Sequence, residues 1–173
     1  MDNTQLTELL TAFRAGDRTA FEKVYRSMQA GLYTVIFRIT WDRGLSEDIL
    51  QEVFCKLYLS PPGPAVNNPR AYIFQTARNL AIDSMRAQRP AVSLDEIEAV
   101  VHRPMDDIPL RMDIDAALKA LPAEQRQIVT LHLIGNLKFR EIAGITGVPL
   151  GTVLWKYQKA LGSLRKKLTG DAL

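Results

Sequence analysis

The chain has one cysteine, Cys55, in 173 residues, so it forms no internal disulfide. It has two histidines, His102 and His132, far apart and without cysteine neighbours, and no Cys/His cluster has zinc spacing. No apolar run approaches transmembrane length, and the start, MDNTQLTELL, lacks the basic region and apolar core of a signal peptide. These absences point to a cytoplasmic, soluble protein with no membrane insertion. No nucleophile–base pair, metal ligand set or phosphate-cradling glycine loop stands out, so neither catalytic residues nor a cofactor are expected, and the chain does not read as an enzyme. Strand-like alternation and internal repeats are lacking too.

What the chain does have is apolar residues, 47 % of the total, enough for a folded core. Their spacing is helical nearly throughout. Leu6, Leu9, Leu10 and Phe13 follow the i, i+3, i+4, i+7 pattern, and Ala15-Gly16-Asp17 breaks it. A second helix is expected through Phe21, Val24 and Tyr25, and a third through Leu32, Val35, Ile36 and Ile39. Ser46 reads as the N-cap of a helix whose buried stripe is Ile49, Leu50, Val53, Phe54 and Leu57. The stretch SPPGPAVNNP, Ser60 to Pro69, continues no helix. Pro69 suits the start of the next, which carries Ile73, Ala77, Leu80, Ala81 and Met85.

Periodicity fails from Arg89 to about Ile108, where a linker is expected with a short helical turn at LDEIEAVV. Helices resume with Ile114, Ala117, Leu118 and Leu121, and again after Pro122 up to Gly135-Asn136. The fold class is therefore all-α: two small helical domains, 1–90 and 112–173, joined by a flexible acidic linker over 91–111. Domains this small are marginal alone.

Net charge is only +3, but it is unevenly spread. Residues 91–115 carry two basic and seven acidic side chains, whereas 116–173 carry nine basic and three acidic ones. A basic end after an acidic middle suits a polyanionic partner, although a solvated basic helix has the same composition. Within that end, LKFREIAGITGVPLGTVLWKYQKAL reads as two short helices about a tight turn. Gly147 supplies the left-handed residue, Ile142, Val148 and Val153 a small shared core, and Pro149 with Gly151-Thr152 a helix start. On the last helix Val153, Tyr157, Ala160, Leu161, Leu164 and Leu168 share one face, and Trp155, Lys159, Gly162 and Lys166 the other. Packing thus accounts for Tyr157 and not for Trp155. The layout is that of a helix-turn-helix whose second helix enters the DNA major groove. Arg140, Lys156, Lys159, Arg165, Lys166 and Lys167 would mostly meet phosphates.

In the N-terminal half, Asp48, Gln51, Glu52 and Lys56 form the polar face of one helix. RAYIFQTARNLAIDSMRAQR, Arg70 to Arg89, mixes aromatics with cations, a composition suited to stacking single-stranded bases. Tyr72 and Phe74 equally admit a core role.

FRAGDRTAFEKVY, SEDILQEVFCKLY, NPRAYIFQTARNLAIDSMR and LPAEQRQIVTLHLIGNLKFREIAGITGVPLGTV together resemble the extracytoplasmic-function (ECF) group of sigma-70 family RNA polymerase sigma factors, in the family's order and spacing. The resemblance implies a σ2-like domain, a σ4-like domain and, as partners, core RNA polymerase, promoter DNA and an anti-sigma factor. It places Asp48, Gln51, Glu52 and Lys56 against the β′ clamp helices, and the β flap is a further expected polymerase contact. The loop Ser60–Asn68 and the following helix become the pocket for a base flipped from the −10 element, with Arg70, Tyr72, Arg78, Asn79 and Arg86 on that DNA. Arg140, Thr152, Leu154, Trp155, Lys156 and Lys159 fall to the −35 element, and the acidic linker to the RNA exit path. Two departures stand out. Where the family usually has a basic, a small polar and a basic residue after Gly-Thr-Val, this chain has Leu154-Trp155-Lys156, which favours thymine methyl contacts over arginine–guanine pairs. Gln75 stands where a basic residue is frequent, which weakens melted-strand binding. A stand-alone helix-turn-helix regulator is the alternative, but it leaves the Asp48/Glu52 helix and the Arg70–Arg89 helix without a purpose.

Overall fold

The computed structural model describes residues 1–87 and 109–168, and side chains from Ile114 onward in the second stretch. The expected linker up to Ile108, including the turn at LDEIEAVV, lies outside the described residues. Eight helices are found among them: α1 (Asn3–Arg14), α2 (Arg18–Thr40), α3 (Arg43–Leu59), α4 (Pro69–Ala87), α5 (Pro109–Lys119), α6 (Ala123–Leu133), α7 (Phe139–Thr146) and α8 (Leu150–Leu168).

Helix starts follow local hydrogen bonding. Asp2 and Gln5 form a reciprocal capping box at α1, with Gln5 N–H donating to the Asp2 carboxylate at 2.8 Å. Gly16 takes φ 105° in the turn, and Asp17 caps α2 by accepting from Thr19 N–H at 2.9 Å. The two helices expected over residues 21–39 are one continuous helix, α2. Ser46 is not the N-cap of α3: Asp42 is, accepting from Leu45 N–H at 2.8 Å. Ser46 lies buried one turn inside, its hydroxyl 2.7 Å from that of Thr40. An aspartate four residues upstream thus starts the helix earlier than the apolar stripe indicates.

In the first half, α1, α3 and α4 pack around α2, burying Leu6, Leu10, Val24, Leu32, Ile36, Ile49, Val53, Ile73 and Ala77. Phe74 is also core, 1 % exposed, which resolves its ambiguity, while Tyr72 is 44 % exposed. In the second half, α5, α6 and α7 gather on α8. Phe139 stacks on His132 with ring centroids 4.3 Å apart, and Tyr157 meets both edge-on. Gly147 closes α7 at φ 71°, as a helix-turn-helix requires.

The halves are not separate bodies. Ile128, Leu131, Leu137, Ile142 and Val153 belong to the same buried cluster as the N-terminal core. The joint centres on α2 and α4 against α6 and the α6–α7 turn. Gly31 of α2 faces this joint, where a Cβ would lie in ordinary van der Waals contact, 3.6 Å from Phe74 Cζ and 3.7 Å from the Ile134 carbonyl oxygen. Polar contacts surround it. Asn68 donates to Glu141 at 2.6 Å, Arg70 Nε to the Gly135 carbonyl at 2.7 Å, and Arg78 Nε to Gln127 at 3.1 Å. On the far side, Arg126 donates to the Arg38 carbonyl at 3.1 Å and lies 5.4 Å from the Trp41 ring centroid.

Candidate nucleic-acid and polymerase interfaces

Three surfaces carry the candidate residues. The first is the outer face of α3. The buried positions Ile49, Val53, Phe54 and Leu57 fix the helix rotation, leaving Asp48, Gln51, Glu52, Cys55 and Lys56 exposed on one side. Glu52 and Lys56 pair at 2.9 Å across one helical turn. Cys55 is also exposed on this face.

The second surface lies between the C-terminal end of α3 and the N-terminal half of α4. A cavity of about 270 Å³ opens there, lined by Val53, Lys56, Leu57, Leu59, Ser60, Tyr72, Ile73 and Thr76. Its walls are mainly apolar, with Lys56, Ser60, Tyr72 and Thr76 as the polar residues of the lining. Arg14 anchors the adjoining loop by donating to the Pro62 carbonyl at 2.5 Å. Asn79, expected at this pocket, is not among its lining residues; it is exposed on α4 beyond Thr76. Lys56, assigned from the sequence to the polymerase face alone, lines the cavity as well.

Of the candidate cations on α4, Arg86 is exposed beside Asp83, at 3.9 Å. Arg70 and Arg78 are instead half-buried beneath the C-terminal half. Burial is the main cause pulling both guanidinium pKa values below the ordinary arginine value; for Arg78 the charge of Arg86 adds to it. Composition along α4 marked these side chains as cationic but could not reveal that α6 and the α6–α7 turn cover them.

The third surface is α8. Trp155 is 57 % and Leu154 41 % exposed, and Thr152, Gln158 and Lys159 are exposed too, as is Arg140 of α7. The Lys159 ammonium lies 4.8 Å from the Trp155 ring centroid. Lys156, by contrast, forms an ion pair with Glu124 of α6, its side chain only 19 % exposed. That pairing runs between helices and carries no signal in sequence spacing. Among the described residues, no cluster of three or more metal-ligating side chains exists, and no helix is long and apolar enough to cross a membrane.

Two family models match: sigma-70 region 2 over residues 24–91 and sigma-70 region 4 over residues 111–164. The chain belongs to the ECF group of the sigma-70 family. It binds core RNA polymerase and directs transcription initiation at promoters. Among curated relatives, the ECF sigma factor SigW of Bacillus subtilis is 27 % identical over 172 residues, covering 90 % of this chain and 92 % of the relative. SigM of the same organism is 23 % identical, covering 87 % and 98 %. SigK of Mycobacterium tuberculosis (strain H37Rv) is 26 % identical, covering 96 % and 95 %. In fold the sigma factor is similar to RpoE of Bartonella quintana, solved with the anti-sigma factor NepR, at a TM-score of 0.69 and 22 % identity over 86 % of this chain and 96 % of RpoE. It is also similar to CnrH, solved with the cytosolic domain of CnrY, at 0.68 and 18 % over 99 % of each chain. A stand-alone regulator is not favoured, because a region 2 match leaves that reading without an account of the N-terminal half.

Proposed function

We propose that this sigma factor divides its work between residues 1–90, which bind polymerase and the −10 element, and residues 112–173, which bind the −35 element. Asp48, Gln51, Glu52 and Lys56 meet the β′ clamp helices. A flipped −10 base enters the α3–α4 cavity, with Arg70, Tyr72, Arg78, Asn79 and Arg86 along the melted strand. Flipping costs a few kcal/mol, which the cavity and the polymerase contacts offset. Arg140, Thr152, Leu154, Trp155 and Lys159 face the −35 duplex, and the β flap meets the C-terminal domain. The chain works as a non-enzymatic cytoplasmic initiation factor. An anti-sigma factor is a further partner class, since RpoE of Bartonella quintana, which is similar in fold, is solved with the anti-sigma factor NepR.

The observation that carries this assignment is Lys56, which joins the exposed α3 face to the cavity wall. Polymerase binding and base capture thereby share one helix. The closed packing adds a requirement. The −10 and −35 elements lie about 25 base pairs apart, roughly 85 Å at 3.4 Å per pair, whereas α4 and α7 touch. The domains therefore separate before both elements are engaged.

The test is binding of the full chain to core RNA polymerase in a native gel, beside the Asp48→Lys/Glu52→Lys variant. Loss of binding in a variant that keeps its helical content is expected. Undiminished binding would overturn the α3 assignment.

A further inference from the structure

The recognition-helix triplet acquires a specific meaning once its side chains are placed. A bidentate cation on guanine O6 and N7 is the usual way a major-groove helix selects G·C pairs. At the N-terminal end of α8 that means is withdrawn. Leu154 and Trp155 carry no cation, and Lys156 is turned into an ion pair with Glu124. Lys159 lies against the Trp155 ring, its ammonium 4.8 Å from the ring centroid. The exposed centre of the face is thus apolar at Leu154 and Trp155. One turn further along, Gln158 is also exposed. Spacings of three and four residues place Gln158 directly beyond Trp155 and Leu154 on the helix surface.

We propose that α8 selects A·T pairs in its duplex element, with Leu154 and Trp155 packing on thymine C5-methyl groups and Gln158 pairing with an adenine edge. The thymine methyl is the one apolar group that base edges present in the major groove, and a glutamine amide matches adenine N6 and N7. Charge complementarity seats the apolar patch on DNA: Lys159 lies beside it, and Arg140 of α7 and Lys166 and Lys167 further along α8 are exposed as well. Glu124 is a positioning residue, because it holds Lys156 away from the bases. The inference rests on the reading of α8 as the −35-binding helix.

The experiment uses the full chain bound to core RNA polymerase and a duplex DNA library with a fully randomised window. Wild-type complex should enrich sequences with thymines at fixed positions. Replacing those thymidines by deoxyuridine, which lacks only the methyl, should weaken binding about fourfold per methyl. The Trp155→Ser complex should discriminate less between the thymine and uracil duplexes, keeping only the penalty for the methyl that Leu154 meets, and Gln158→Ala should relax selection at one adenine by roughly tenfold. Both side chains are exposed, so folding is not at stake. Enrichment of a motif whose binding ignores the uracil exchange, or is led by guanines, would overturn this inference and leave the −35 reading intact. Failure to enrich any motif would overturn both.

Discussion

Gly31 offers a direct way to separate the two halves without touching a candidate contact for polymerase or DNA. It lies within α2, facing Phe74 and Ile134. An alanine Cβ would sit 3.6 Å from Phe74 Cζ, 3.7 Å from the Ile134 oxygen and 3.9 Å from Ile134 Cγ2. All three are ordinary van der Waals separations, so Gly31→Ala fits the closed form and should stabilise α2 by about 1 kcal/mol through helix propensity. Gly31→Leu keeps most of that propensity gain but places three more carbons where Ile134 stands. Overpacking of this kind costs roughly 1–3 kcal/mol, and domain separation relieves it. The closed–open balance should therefore move by roughly 5- to 150-fold toward open, as that range of energy gives. Small-angle scattering reads the outcome: a compact chain of this length has a radius of gyration of about 16 Å. The alanine variant should keep the wild-type radius and melt about 2–4 °C higher, while the leucine variant should be visibly more extended. A leucine variant as compact as wild type would refute the claim that this contact holds the closed form. So would an alanine variant that opens.

Freeing Lys156 by Glu124→Gln should add about one phosphate contact, steepening the salt dependence of duplex binding by about 0.9 in log–log slope. Between 50 and 200 mM salt the variant's affinity should then fall about 3.5-fold more than that of wild type, and parallel salt titrations would contradict the pairing. Phe74→Ala should cost about 3–5 kcal/mol in urea unfolding, because the ring is fully buried; a loss below about 1 kcal/mol would mean that the ring is not core. The Asp17 carboxylate is held below its ordinary range chiefly by the Thr19 hydroxyl, with the Thr19 and Ala20 N–H groups helping against some desolvation. A depressed carboxylate contributes stability above its unfolded pKa, about 4, and loses it as pH falls through the folded value. The melting-temperature gap between wild type and Asp17→Ala should accordingly narrow on acidification below about pH 4, and a widening gap would reverse the assignment.

Much of the architecture was legible because helical cores repeat locally. The stripe Ile49, Val53, Leu57 and the opposed faces around Val153 and Trp155 are properties of spacing alone, and the structure bears them out. Gly147 was equally readable, since a helix-turn-helix needs a left-handed residue there. Boundaries were harder. Ser46 and Asp42 are both good caps by composition, and only the hydrogen-bonding geometry assigns the start to Asp42. Residues 21–39 read as two helices, although a single helix, α2, bridges them.

The sequence by itself determined the helical class, the order of the sigma-factor segments, and that Asp48, Gln51 and Glu52 face outward on α3 and Trp155 and Lys159 on α8. These follow from periodicity and residue chemistry within one helix, where neighbours in space are neighbours in sequence. Only the tertiary structure decided that Arg70 and Arg78 lie under the C-terminal half, that Lys56 lines the α3–α4 cavity, and that Glu124 takes Lys156 out of the recognition face. Each of these meetings joins elements far apart in the chain, the ion pair across 32 positions and the Arg70 contact across 65. No local pattern encodes such a meeting, because it depends on how whole helices pack around a common core.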